Sequence, residues 1–471
     1  MTAARQLIGR DQEITSLRRE LDKDRPSLIV VYGRRRVGKS TLLTHVTRGR
    51  ASVYYQATEV VGSMNLLLLK EAIAAALGES DPILSGIEHW ESLLSYTAEL
   101  AHHRIPGLTL ILDEFPYICE SVEGLPSIVQ KVFDRVVAQG IRLNLVLCGS
   151  KISFMEELLG ERNPLRGRQT LEIDVEPLPI RDAAGFFPNL SSIDQLAAYG
   201  VFGGLPYYLQ LCDPTVSLAE NIRELIFEPG APLANEAFNV LRAELSSPAR
   251  YATILQAIGT GCTTTGEIVG RTPEIGDGST LAPYITKLES LRLIRVVRSL
   301  DASPRARNRR YYLADPFLAF WYHFCLPNIS AIATGHAREV YEHAVRPAFD
   351  GYMGEIFEWI AHQYVARHGA ERLGIPCREV GKIWGADYDI DIAATLLDGT
   401  VLFGECKWWS SPVGMNVLDD LRADAAKTTY GRNARRQFLI ASKSGFTAEL
   451  EAYARDEDSV HLATPEDLLG S

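Results

Sequence analysis

Several things are scarce in this chain, and each scarcity excludes a class. Across 471 residues no apolar run approaches the ~20 residues that a bilayer span needs, so no membrane-spanning helix and no membrane partner are expected. The opening segment, MTAARQLIGRDQEI, has none of the apolar character of a secretion signal, and a cytoplasmic location is expected. Cysteine is sparse and scattered singly, at Cys119, Cys148, Cys212, Cys262, Cys325, Cys377 and Cys406. Without CxxC pairs or metal-finger spacing, a disulfide scaffold is excluded and a reducing compartment fits. Positive charge is also short, with 48 Lys and Arg against 59 Asp and Glu and a formal net charge of -11. The protein is not coated in positive potential, although a local basic groove still suits nucleic acid. Internal repeats and low-complexity tracts are absent.

What is present is the balance of a folded protein, 46% hydrophobic and 23% charged. The length calls for two or three domains of about 100 to 200 residues each. Short apolar runs at Ser27 to Tyr32, Val53 to Tyr55, Leu108 to Leu112 and Leu143 to Leu147 alternate with helical patterns, which predicts an α/β domain with a parallel sheet over residues 1–175. Residues 176–246 read as a helical lid, interrupted by the turn Gly203-Gly204-Leu205-Pro206. Over 247–330, Ile254 and Ile258 mark one helical face and Leu281, Ile285 and Leu288 another. The strand-like LIRVVR that follows suggests a winged helix and its connector. Thr280 as N-cap would put Pro283 in the first helical turn, where proline is tolerated. A third unit, 345–471, carries a helix with GEIFEWI and two strands, YDIDIAATL and TVLFGECKWW.

The chemistry starts at residues 33–40, GRRRVGKS, directly after the first apolar strand. Gly33 and Gly38 allow the backbone N–H groups of Arg34, Arg35, Arg36 and Val37 to curl around phosphates. Lys39 neutralises them, and Ser40, followed by Thr41, ligates magnesium. This predicts ATP and Mg2+ as cofactors. On a neighbouring strand end, LTLILDEF supplies Asp113 for the metal and Glu114 as the base that polarises the attacking water, so hydrolysis is expected. Ser150, after LNLVLC, is a candidate γ-phosphate sensor. Arg166 and Arg168 in NPLRGRQT are candidate arginine fingers.

Taken together, LIGRDQEI, YGRRRVGKST, LILDEF, LRGR and GGLPYYL resemble the archaeal-type P-loop ATPases of the STAND and AAA+ superclass. The resemblance spans nearly the whole chain. It implies an ATPase core followed by a winged helix and a C-terminal domain similar to the PD-(D/E)XK restriction-endonuclease fold. It also implies nucleotide-dependent switching, with Gly9 and Arg10 where that family's GR motif lies near the adenine.

Glu358 in GEIFE, Asp391 in DIDI, and Glu405 with Lys407 in GECK resemble the nuclease pattern. Carboxylates would hold a divalent metal against a scissile phosphate, and the lysine would orient or deprotonate water. Asp389, a third nearby acid, leaves the metal ligands ambiguous. For Asp391 to face Glu405, the hairpin loop must be the three-residue form, Leu397 to Gly399 with Gly399 left-handed. That form is predicted. Trp408 and Trp409 are expected to be packed rather than to stack on bases. Arg305, Arg307, Arg309 and Arg310 would give the winged-helix tip phosphate contacts with DNA.

Two functions remain open from sequence. One is an ATPase that gates metal-dependent DNA cleavage. The other is a nucleotide-switched regulator or scaffold that binds DNA or protein, with an inactive nuclease fold, and a homo-oligomer is compatible with either.

Overall fold

The structure, a computed structural model, describes residues 7–78, 81–245, 247–303 and 308–470. They form two compact units. One holds the described residues up to Pro177 with Leu205–Tyr207; the other holds Leu178–Gly204 and the described residues from Tyr208 onward.

In the first unit five strands, β1 (Ser27–Tyr32), β2 (Ser52–Gln56), β3 (Leu108–Asp113), β4 (Leu143–Gly149) and β5 (Leu171–Asp174), make an all-parallel sheet in the order β2-β3-β4-β1-β5. Every residue of β1, β3 and β4 is buried, which is why they read as unbroken apolar runs rather than alternating ones. Leu28, Val30, Leu110, Leu112 and Leu147 pack there against Leu69, Phe115, Val129 and Phe133. Each such side chain contributes about 1.5–3 kcal/mol by leaving water. The sequence places Asp113 on the end of a strand neighbouring β1, but β3, which ends in Asp113, is not adjacent to β1. The order inserts β4 between β1 and β3, and β4 delivers Ser150 to the gap.

The second unit begins with short helices, among them Ile180–Ala184, Ser192–Phe202, Leu218–Ile222 and Glu236–Glu244, with no strand among the described residues up to 245. Three helices follow, Ala249–Gly259, Thr265–Arg271 and Gly278–Ser290, and then an antiparallel pair, β6 (Ile294–Arg298) and β7 (Arg309–Leu313). The third of these helices starts earlier than its proline suggested. Asp277 is the N-cap, accepting from the backbone N–H groups of Ser279 and Thr280, so Pro283 lies inside the helix and costs it one backbone bond.

A 28-residue helix, Arg346–Leu373, packs on a second sheet built from β8 (Cys377–Trp384), β9 (Asp389–Leu396), β10 (Val401–Lys407), β11 (Arg436–Ser442) and β12 (Val460–Ala463). Its order is β12-β11-β10-β9-β8, antiparallel from β8 to β10 and parallel from β10 to β12. The β9–β10 loop is the three-residue form. Leu396 N–H donates to Thr400 O at 2.8 Å, Gly399 N–H donates to Leu396 O at 3.0 Å, and Gly399 has φ +85°. The ladder pairs Phe403 with Ala393 and Gly404 with Ile392, and the next step along this register sets Glu405 opposite Asp391. Between β8 and β9 the register shifts, with Gly381 opposite Ala393 but Ile383 opposite Ile390. Lys382 therefore faces two residues, Asp391 and Ile392, and such a bulge re-aims side chains.

Candidate functional site

The phosphate loop leaves β1 through Gly33, whose φ is +149°. A Cβ there would lie 2.3 Å from the Val175 carbonyl oxygen, so the close approach requires glycine. Arg36 is left-handed at φ +69°, and Gly38 at φ +99° is the N-cap of the helix Lys39–Thr47. Two arginines of the loop contact side chains outside it. Arg35 donates to the Tyr117 hydroxyl, and Arg36 lies 4.5 Å from the centre of the Tyr207 ring. Val37 is fully buried, while Ser40 and Thr41 are exposed on the first helical turn. Tyr207, in GGLPYYL, is a neighbour of the loop that the motif alone did not reveal.

Lys39 is buried, and its Nζ donates to the Gly33 and Arg34 carbonyls at 2.8 and 3.0 Å. Burial pushes its ammonium below the ordinary lysine range. The free N–H groups of the helix start and this ammonium make a receptor for an anion. Arg10 lies beside the loop. Its guanidinium is buried and donates to Val37 O at 3.0 Å, Glu176 O at 2.7 Å and Glu13 Oε1 at 2.9 Å, so what it does is prop the loop.

Ser40 Oγ donates to Asp113 Oδ2 at 2.7 Å, and the Tyr54 hydroxyl donates to the same oxygen. Asp113 is buried, and among the described residues no cation forms an ion pair with it. The buried carboxylate, met by hydroxyls and by one backbone N–H, from Glu114 at 2.9 Å, and the Ser40 hydroxyl offer hard oxygens that fit a magnesium ion. Glu114 has φ +52°, an uncommon conformation for a residue with a side chain. Its carboxylate accepts from Ser150 Oγ at 2.8 Å and from the Ser150 backbone N–H at 3.2 Å. The expected base and the expected sensor therefore hold each other. The arginine candidates are occupied: Arg168 forks onto Asp134 at 2.7 and 2.9 Å, and Arg166 pairs with Glu161 at 3.2 Å.

In the second unit the fold brings Glu358, Asp391, Glu405 and Lys407 into one neighbourhood, together with a residue the sequence reading missed, Lys382. Its Nζ lies 2.7 Å from Glu358 Oε2, 3.2 Å from Asp391 Oδ1 and 3.6 Å from Asp389 Oδ1. Asp391 Oδ2 accepts from the Cys406 backbone N–H at 3.0 Å, and Lys407 pairs with Glu405. Burial, then the charge of Asp391, raises both Glu358 and Glu405 above the usual carboxylate range. Burial alone would lower the Lys382 ammonium, but Glu358 and Asp391 beside it hold it above its ordinary value. Among the described residues no three His, Cys, Asp or Glu side chains stand close enough to hold a metal ion. The expected ligand set of Glu358, Asp391 and Glu405 does not fit a metal in this arrangement, because an ammonium already stands between two of its members. A lysine directly before the apolar pair Ile383-Trp384 was the available signal.

Trp408 is buried and donates to Asp350 Oδ1 at 2.9 Å; Trp409 is exposed, with Lys407 Nζ 5.4 Å from its ring centre. Of the four tip arginines, Arg305 and Arg307 lie outside the described residues. Arg310 is not free for a phosphate backbone, being paired with Asp389 at 2.7 Å and set over the Trp384 ring at 4.4 Å.

Residues 7–212 match the model of a family described as an ATPase domain predominantly from Archaea. Residues 321–418 match a second, described as Archaea bacterial proteins of unknown function. An uncharacterised protein of Methanocaldococcus jannaschii is 28% identical over 406 residues, 85% of this chain and 87% of that one. Among solved structures, the Walker-type ATPase of Pyrococcus abyssi is similar at 18% identity and a TM-score of 0.49, covering 67% of this chain and 96% of that one. The ORC2 protein of Aeropyrum pernix in its ADPNP–ADP complexes is similar at 14% identity and a TM-score of 0.45, covering 70% and 96%. Residues 7–212, which hold the phosphate loop, are thus similar to archaeal-type ATPase domains.

Proposed function

We propose that this protein is an ATP-hydrolysing switch whose second unit binds nucleic acid without cutting it. ATP would seat its phosphates on the loop, with Lys39 against the terminal ones. Ser40 and Asp113 would hold magnesium, which when bound supplies charge neutralisation at the phosphates. Glu114 would leave Ser150 to take the proton of the attacking water, and Ser150 would be released toward the terminal phosphate. The Glu114–Ser150 contact thus supports a nucleotide-sensitive element rather than a static site.

For the second unit, the order of three helices and a hairpin supports a winged helix, a shape suited to a duplex. One observation carries the absence of cutting: the Lys382 ammonium bonded to Glu358 and Asp391 takes the place a metal would need. Metal-dependent cleavage is the second reading, and the hairpin register that sets Asp391 opposite Glu405, two residues before Lys407, favours it.

The test is incubation with linear, circular and single-stranded DNA in magnesium or manganese, with and without ATP, beside Lys39→Ala and Lys407→Ala. Retention of DNA that changes with ATP, without strand breaks, is the expected result. Breaks that vanish in Lys407→Ala would overturn it and select cleavage.

A further inference from the structure

The second unit contains a cavity of about 430 Å³ between β6, β7, the long helix Arg346–Leu373 and β8. The helix turns a polar stripe to it, Glu355, Glu358, Trp359, His362, Gln363 and Arg367, spaced at three and four residues. Met353, Ile356, Phe357 and Ile360 are buried on its other faces, so the stripe is not needed to hold the helix in place.

Arg295, on β6, is the unusual member of the lining. Its Nε is buried without a hydrogen-bond partner, and among the described residues its guanidinium makes no ion pair. What touches it are ring faces. The Trp359 centre is 4.9 Å away, and that of Tyr312, its cross-strand partner on β7, is 5.5 Å away. Rings fix the plane of a guanidinium but satisfy none of its in-plane donors, and a buried donor left unpaired is costly. A ligand with acceptor oxygens would complete it.

The charges of the lining select the ligand. Lys382 is held by Glu358 and Asp391, which leaves three guanidinium side chains, Arg295, Arg298 and Arg367, facing one carboxylate, Glu355, in a chain of net charge -11. A phosphate monoester carries about two negative charges at neutral pH, and its oxygens match the guanidinium fork. The volume accommodates one nucleotide unit and no duplex.

We propose that this cavity binds the terminal phosphate monoester of a nucleic-acid strand, received by Arg295; the proposal rests on the nucleic-acid reading of the second unit. Glu358 and Lys382 line both the cavity and the acid–lysine cluster, so a strand end seated here lies beside that cluster. A free mononucleotide offers the same chemistry.

The test measures anisotropy of a short labelled single strand on the full chain, in chelator and without ATP, with a 5′-phosphate, a 3′-phosphate or only hydroxyl ends. A terminal phosphate is expected to tighten binding about tenfold, and Arg295→Met to erase that preference while the hydroxyl strand binds as before. Arg298→Gln, at the exposed rim, is expected to reduce the preference about threefold, and it decides the matter if Arg295→Met does not fold. Deoxycytidine monophosphate, titrated into wild type and Arg295→Met so that uptake by the phosphate loop cancels, separates the two sources. Strands that all bind equally well would overturn the cavity proposal and leave the nucleic-acid reading standing. No strand binding at all would sink that reading. In that case Arg295-dependent uptake of the mononucleotide would support the phosphate site, and its absence would overturn it.

Discussion

The phosphate loop and the acid–lysine cluster use the same residue types to opposite ends. In the first, Lys39 rests on the Gly33 and Arg34 carbonyls while Asp113 is met by the hydroxyls of Ser40 and Tyr54. Cation and anion are both buried and kept apart, so each is ready for a ligand of opposite sign. In the second, Lys382 and Lys407 bond directly to Glu358, Asp391 and Glu405, so each cation already has a carboxylate partner. A buried charge already paired resists exchange, because removing its partner leaves the other group uncompensated. Residue types alone therefore do not make a site. What each charge already holds decides whether the site is open.

The comparison breaks first if Lys39 proves dispensable. Lys39→Ala is expected to lower ATP hydrolysis by about three orders of magnitude, since the phosphate charge then meets only backbone dipoles. Glu114→Gln should reduce kcat about a hundredfold with ATP affinity little changed, the signature of a lost general base. Phosphate release assays with a parallel binding titration check both. Wild-type turnover in Glu114→Gln would show that the Ser150-held carboxylate is a structural cap and not a base.

How legible the two regions were follows from how they are assembled. GRRRVGKS is contiguous, and its backbone turns are dictated by Gly33 and Gly38, so the loop could be read from one string. The order of the strands could not: parallel pairing is set by crossovers, and nothing in LTLILDEF says that β4 lies between it and β1. In the second unit the β9–β10 register follows from the requirement that Asp391 face Glu405, which selects the three-residue loop with a left-handed Gly399. β8 escaped because CREVGKIW mixes charge, glycine and apolar residues without a clean period, and with it went Lys382, the residue that changes the meaning of the cluster. For Arg10 only the family resemblance of its GR motif points to the adenine. Only the fold shows that its donors are spent on the Val37 and Glu176 carbonyls.

Lys382→Met sharpens the contrast from the other side. Without the ammonium, Glu358 and Asp391 are left as buried, mutually repelling carboxylates, and a divalent cation becomes their natural partner. Manganese is expected to bind the variant at least about tenfold more tightly than wild type, by isothermal titration, and to raise its melting temperature where wild type does not respond. Equal manganese affinity in the two proteins would mean that Lys382 does not stand in a cation site.

The smallest effect isolates a neighbour of the cluster. His362 Nε2 lies 2.6 Å from the Asp391 carbonyl oxygen, and burial lowers its pKa from 6.5 to about 4. Between those values the unfolded chain holds a proton that the folded one refuses, so its contribution to stability is present above pH 6.5 and lost as pH falls toward 4. The loss from pH 7 to 5.5 should be about 1 kcal/mol. Glu358 and Glu405 pull the other way, because their raised pKa values let the folded state keep protons that the unfolded chain has released. Total stability against pH mixes these signs. His362→Gln retains a donor for the Asp391 carbonyl and removes the titration, so the difference between wild type and variant in denaturant titrations at the two pH values reports His362 alone. A difference that stays constant with pH would show that the imidazole titrates in the folded protein much as it does in water, and that this side of the acid–lysine cluster is open to solvent.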